Sequence, residues 1–227
     1  MLRSIICYLR KLAFKGLAQQ SDLDVLYSQV SGLIQIQNAM LGLPVLRPLR
    51  GWAISPDAME WILADLQGRD GATVVEFGAG QSTIILATAL KHRDGRLITI
   101  EHDEAYAGSV WRQLRACRLE HYVEMHQVPL IEYQGEVMCV SYDLGVLAEK
   151  VADVVLVDGP PSANGLLTRL PPLRWAVSHL KPGGCIFLDD ARREGEQACV
   201  RRLLREFPTL HLISRCAEKG LVEFRHE

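Results

Sequence analysis

The sequence predicts an α/β fold: a seven-stranded, mostly parallel sheet with an antiparallel last strand and helices on both faces, preceded by N-terminal helices. Three observations carry this. From Ala72 onward, short apolar runs alternate with segments of helical period. Two of those runs, 73–77 and 151–157, are nearly continuous rather than alternating, as strands covered on both faces are. The acidic side chains Glu101, Asp158, Asp189 and Asp190 all fall where strands end, the edge at which open α/β sheets bind ligands.

Taken in order, residues 1–20 carry Arg3, Arg10, Lys11 and Lys15 with no acid, while Leu2, Ile5, Leu9, Leu12 and Leu17 recur at helical spacing. Basic residues interrupt every apolar run, so neither a membrane span nor a signal peptide fits. Two readings stay open: a helix packed on the main domain or on a second subunit, giving a homodimer, and a helix resting weakly on an anionic membrane surface. A second helix is expected over 21–41, its apolar face made by Leu23, Leu26, Val30, Leu33, Ile34 and Met40, with Pro44 and Pro48 beyond it. After a shaped loop, Ser55-Pro56-Asp57 opens a helix through Leu66. Residues 1–71 thus form a helical extension covering the substrate side, and 72–227 the main domain.

Strands are expected at Thr73–Phe77, Leu97–Glu101, Val123–Val128, Val151–Val157 and Gly184–Leu188, and a closing hairpin pairs Leu210–Ser214 with Leu221–Phe224 around Glu218, Lys219 and Gly220. Helices are expected at Ser82–Lys91, Glu104–Cys117, Leu166–Leu180, bent or restarted by Pro171 and Pro172, and Glu194–Phe207. The pattern is that of a Rossmann-like domain.

Composition narrows the function. Formal charge is −2, from 25 basic and 27 acidic side chains, and no basic stripe interleaves with aromatics, so no nucleic-acid partner is expected. The six cysteines are widely spaced without a C-x-x-C pair and read as reduced thiols of a cytoplasmic protein.

The segment VVEFGAGQST joins the first strand to its helix. Gly78 and Gly80 permit a tight turn and close backbone approach, and Ser82 is placed to cap the helix, so Glu76 to Thr83, Ala79 included, form the start of a cofactor site. A carboxylate at the entrance gains nothing from a pyrophosphate, but Glu76 can attract the cationic amino group of an amino-acid moiety. Glu101, 23 residues after Gly78, can accept hydrogen bonds from ribose hydroxyls, a spacing that also suits NAD. His102 follows it and lines the same pocket.

In this combination the chain resembles the class I S-adenosylmethionine-dependent methyltransferases. EFGAG corresponds to their first cofactor motif, ITIEHD to the second strand with its ribose acid, VVLVDGPP to the fourth strand and LKPGGCIFLDD to the fifth, from Val74 to the C-terminus. The resemblance implies that Gly78 and Gly80 shape the methionine and ribose pocket, that Glu76 works near the amino group and Glu101 on the ribose. It leaves Gln127, or backbone groups beside it, for the adenine.

Asp158, Asp189 and Asp190 form the expected catalytic side. Converging carboxylates of this kind can hold Mg²⁺, which lowers the pKa of an acceptor hydroxyl, or can act without a metal as a general base. The arrangement is similar to the metal site of catechol-type O-methyltransferases, with Asp190 where that family has Asn. It is closer to a bacterial group with DGPP and DD-x-x-R segments, often associated with tailoring of polysaccharides or small molecules. Substrate-side candidates are Arg47, Arg50 and Trp52 in the preamble, Tyr142 beside Asp143 at the cleft rim, Arg169, and Arg192. The expected reaction is O-methylation of a small molecule or saccharide. N-methylation, protein methylation and a catalytically silent partner subunit are the alternatives, with an NAD oxidoreductase less favoured for want of a hydride-transfer acid.

Overall fold

The computed structural model describes residues 23–40, 49, 51–134, 138–161 and 165–226. Seven strands form one sheet in the order β3-β2-β1-β6-β7-β9-β8: β1 (Thr73–Phe77), β2 (Arg96–Glu101), β3 (Val123–Gln127), β6 (Ala152–Val157), β7 (Leu180–Leu188), β8 (Leu210–Arg215) and β9 (Leu221–His226). β3, β2, β1, β6 and β7 run parallel. β9 is antiparallel to both of its neighbours and inserts between β7 and β8, so the antiparallel last strand is as expected.

The strand sequences explain the layering. Every residue of β1 is buried; Val75 and Phe77 pack on one face of the sheet and Val74 on the other. This is the period-two alternation of a strand with protein on both sides, so no polar face is needed. Against the Val74 face pack α2 (Pro56–Leu66), α3 (Gln81–Lys91) and α4 (Glu104–Ala116); against the other pack α5 (Leu170–His179) and α6 (Glu194–Glu206). Ahead of these, residues 23–39 are helical (α1).

Three expectations require correction. The helix over 166–180 begins only at Leu170, because Pro171 and Pro172 take the second and third helical positions, within the first turn, where their missing N–H groups cost nothing; they start the helix rather than bend it. Leu180, expected to end that helix, instead opens β7. The periodic stripe of α1 does not face the body. Ile36 and Met40 are buried, but Leu23, Leu26, Val30, Leu33 and Ile34 stand in solvent.

One element has no forerunner in the sequence reading. The chain leaves edge strand β3 and crosses back to β6 beside β1, a route that normally runs through a helix. Here it is made by a two-stranded hairpin, β4 (Leu130–Tyr133) with β5 (Cys139–Tyr142), followed by a single 3₁₀ turn, Gly145–Leu147. Tyr142, read as a rim residue, ends this hairpin and is fully buried.

Candidate active site

Parallel register brings the strand ends together. Phe77 pairs with Ile100 on one side and Val157 on the other, and Val157 pairs with Leu188. The residues one step on, Gly78, Glu101, Asp158 and Asp189, therefore line up along one edge. The alignment is fixed by hydrogen bonds from Gly78 N–H to the Ile100 carbonyl (2.9 Å), Asp158 N–H to the Phe77 carbonyl (2.9 Å) and Asp189 N–H to the Val157 carbonyl (3.1 Å).

Gly78 is required by its backbone. Its φ is +100°, and a Cβ would lie 3.1 Å from the Gly159 nitrogen, so the β1 and β6 loops meet at a point that only glycine allows. Gly80, in extended backbone, is the N-cap of α3 and donates its N–H to Thr83 Oγ1 (2.8 Å). Ser82 is therefore not the cap: it lies within the first turn and is buried.

Thr83 connects the turn to Glu76. Glu76 is fully buried, and its Oε2 accepts from Thr83 Oγ1 (2.6 Å) and from Thr99 Oγ1 (2.8 Å). Ser82 comes close enough to lower the acid's pKa, yet Oε1 has no well-formed hydrogen bond among the described residues. Burial dominates and raises the Glu76 pKa to about 7. A cationic group at Oε1 would restore the charged form.

Glu101 is buried and fixed by the backbone. Oε1 accepts from the N–H groups of His102 (2.7 Å) and Asp103 (2.8 Å), and Oε2 from Ala79 N–H (3.2 Å), so the glycine turn and the ribose-acid candidate are bonded to each other. His102 lies beside it, Nδ1 2.8 Å from Oε1 at an angle that makes no hydrogen bond. Gln127 ends β3 next to Glu101 and is exposed at the far margin of this cleft.

Asp158, Asp189 and Asp190 bring one carboxylate oxygen each within 4.8 Å of one another. Asp189 is fully buried and neither of its oxygens has a hydrogen-bond partner among the described residues, although the Asp190 N–H approaches closely enough to lower its pKa somewhat. Burial first, then the charge of Asp190, pushes Asp189 up to about 6. Burial and the charge of Asp189 hold Asp158 well above the ordinary carboxylate range. Asp190 sits at φ +56°, a left-handed conformation that Asp tolerates better than most side chains, and bonds Arg193 Nη1 (2.7 Å) and Arg169 Nη2 (3.2 Å), with Lys219 Nζ at 4.0 Å.

Arg169 corrects the sequence reading. It is not an open substrate contact: it is 2% exposed, and its guanidinium donates to the carbonyls of Asp189 (2.9 Å) and Asp158 (2.9 Å) while lying 3.2 Å from Asp190, 3.4 Å from Glu196 and 3.7 Å from Asp158 carboxylate oxygens. Four carboxylates, Asp158, Asp189, Asp190 and Glu196, thus face three cations, Arg169, Arg193 and Lys219. The cluster has room for one more positive charge, carried by a proton or a bound cation.

Tyr142 is also relocated. Its ring stacks on Phe77 at 6.2 Å and meets His102 edge-on at 5.9 Å, and its hydroxyl fills the space left by the absent Cβ of Gly159. It lies buried against the β1 and β6 turns rather than at a rim. Trp52 is 82% exposed, in a loop held to the site by Lys219 Nζ bonding the Ala53 carbonyl (2.6 Å). Arg192 is exposed, its stem lying on Gly220. Arg47, Arg50 and residues 1–20 lie outside the described residues.

Sequence reasoning missed Thr99, Glu196 and Lys219 as parts of the site and gave Arg169 the wrong place in it. Thr99 had a signal, a lone polar residue in a buried strand at the position that pairs with Glu76. The partners of Arg169 come from three separate segments and leave no local pattern.

Comparison with solved structures gives the same architecture. The methyltransferase PaMTH1 of Podospora anserina, solved with S-adenosylhomocysteine (SAH), aligns over 92% of this chain and 96% of its own, with a TM-score of 0.64 and 13% identity. The O-methyltransferase TomG of Streptomyces achromogenes, involved in tomaymycin synthesis and solved with S-adenosylmethionine (SAM), aligns over 90% and 96%, with a TM-score of 0.55 and 20% identity. An O-methyltransferase of Bacillus cereus, solved with SAH, aligns over 93% and 97%, with a TM-score of 0.54 and 18% identity. At these identities the likeness is one of fold. No curated protein matches the chain. A family model described as a methyltransferase domain matches residues 75–191, from the middle of β1 to just past the acidic pair that follows β7. This span holds the glycine turn, Glu101 and all three clustered aspartates, and on that match the chain belongs to the methyltransferase-domain family.

Proposed function

We propose that this protein transfers a methyl group from SAM to a hydroxyl oxygen of a small-molecule or saccharide acceptor. The observation that carries the reading is the adjacency of two half-sites along one sheet edge: a glycine turn bonded to Glu101, and an acidic cluster whose innermost member, Asp189, has no well-formed side-chain hydrogen bond among the described residues. The cofactors bound in PaMTH1, TomG and the Bacillus cereus enzyme support SAM, and the last two, as O-methyltransferases, support an oxygen acceptor.

Glu101 accepts from the ribose hydroxyls, with its backbone bonds keeping both oxygens fixed, and Glu76 receives the amino group at its open Oε1. His102 and Gln127 border the adenosine. The acceptor hydroxyl lies toward Asp158 and Asp189, with Trp52 and Arg192 on the outer side. As the acceptor oxygen bonds the methyl carbon, the carbon–sulfur bond breaks, its electron pair returns to sulfur, and the hydroxyl proton passes to the Asp158–Asp189 pair. An acid with a pKa near 6 is largely ionised at neutral pH and still basic enough to take that proton.

The three aspartates also fit a divalent cation: hard oxygen donors gathered within 4.8 Å, one of them without a well-formed side-chain hydrogen bond among the described residues. Mg²⁺ bound there would acidify the acceptor hydroxyl. Arg169 already answers part of the negative charge, so the residues serve either route. The free state of the five described cysteines favours a cytoplasmic setting. The test is transfer of labelled methyl from SAM to catechol-like and saccharide acceptors, with Mg²⁺ and with chelator. Labelled oxygen ethers, lost in Asp189→Asn, support the reading; label found only on nitrogen acceptors or protein contradicts it.

A further inference from the structure

Helix α1 is held to the body by one side only. Ile36 and Met40 are buried, Ser31 Oγ donates to Glu60 Oε1 on α2 (2.9 Å), and Gly32 lies so close to Pro56 that a Cβ would collide with its carbonyl. The neighbouring side carries Leu23, Leu26, Tyr27, Val30, Leu33 and Ile34, each between 47% and 77% exposed. No charged side chain occurs between Val25 and Met40. An amphipathic surface helix puts charge where it meets water; this one puts leucine, isoleucine and tyrosine there.

The stripe has the spacing of a helix–helix seam. Positions 23, 26, 30 and 33 alternate steps of three and four, the a and d positions of a heptad, with Tyr27 and Ile34 flanking on one side. Gln37, exposed at the next a position, ends it. We propose that the occupant of this stripe is α1 of a second copy, making the protein a homodimer. A two-fold contact sets the stripe against itself, and an uncharged apolar seam is self-complementary without register-breaking repulsion. The exposed apolar residues present roughly 650 Å² per copy, so complete pairing would bury at most about 1,300 Å², which reaches the lower end of the range of stable interfaces. Charge disfavours an anionic lipid surface as the occupant, since the only ionised group on the described helix is Asp24. Through Glu60 on α2, and Asp57 whose Oδ2 accepts the Glu218 N–H (2.8 Å), the seam lies one helix away from the Lys219 turn at the acidic cluster.

The test uses the full chain in sedimentation and light scattering from about 1 to 100 µM, a range that brackets ordinary dimer affinities. The expected mass is twice the 25.4 kDa of one chain, falling to one chain in the double variant Leu26→Glu with Leu33→Glu, whose circular dichroism stays unchanged because both sites are exposed. If that variant misfolds, Leu26→Ser with Leu33→Ser should weaken the dimer at least tenfold. A wild-type monomer overturns the proposal, and so does a dimer indifferent to both variants. A monomer that dimerises only after removal of residues 1–22 assigns the stripe to the chain's own N-terminal segment. A monomer that co-floats with phosphatidylglycerol vesicles assigns it to lipid.

Discussion

Glu76 is the residue whose chemistry depends most on what it binds. Alone it is a buried acid with a pKa of about 7 against an ordinary 4.5, so the folded state holds a proton that the unfolded state has lost between those values. Stability therefore falls as pH rises from about 4.5 through 7, with Asp189, raised to about 6, contributing in the same direction. On the proposed function, the cofactor's ammonium would reverse the balance by favouring the carboxylate. SAH affinity should rise as pH climbs from 6 to 8 with release of a proton, read by calorimetry in buffers of different ionisation enthalpy; a flat profile in which Glu76→Gln binds equally well would remove Glu76 from the site. Tyr142 gives a second prediction at this scale. Tyr142→Ala removes the ring stacked on Phe77 and should cost about 3–5 kcal/mol in denaturant unfolding, whereas Tyr142→Phe keeps the ring and should cost about 1 kcal/mol or less. Glu76, Gly78, Glu101 and the aspartates were legible in the sequence because strand ends are. Tyr142 and Arg169 were misplaced because burial is decided by elements far away in the chain, the hairpin for one and, for the other, the loops after β6 and β7 together with the first turn of α6.

Among the elements, the β1 turn and the start of α5 bear most directly on the site. Gly78→Ala places a methyl 3.1 Å from the Gly159 nitrogen in a left-handed backbone, so the β1 and β6 loops must part. We expect a loss of about 1–3 kcal/mol in stability and a far larger fall in cofactor affinity. Arg169→Met leaves four carboxylates facing two cations in a buried cluster, which should cost about 3–5 kcal/mol at neutral pH and much less near pH 5, where the extra charges are protonated. Equal losses at both pH values would mean that Arg169 matters through packing alone. Strand positions were readable because buried parallel strands are nearly pure apolar runs. The β4–β5 hairpin was not: its strands have four residues each and no Asn-Gly or Asp-Gly turn between them, and a crossover to a parallel strand argues for a helix.

At the scale of the whole molecule, one sheet edge brings together the glycine turn, Glu101 and the three aspartates that lie within the family match. The N-terminal helices were expected to cover the substrate side; the structure fixes α2 to the Lys219 turn through Asp57 and, among the described residues, leaves an apolar side of α1 exposed, a distinction that amphipathic period alone does not make. Among the described residues no helix is long and apolar enough to cross a membrane. The central claim is that the glycine turn and Glu101 form a SAM site. Calorimetric titration of the folded protein with SAH tests it most directly. The account predicts saturable binding, weakened at least tenfold in Glu101→Ala, where a lost charged hydrogen-bond acceptor costs about 1.5–3 kcal/mol. No heat from folded wild-type protein, or undiminished binding in the variant, would contradict it.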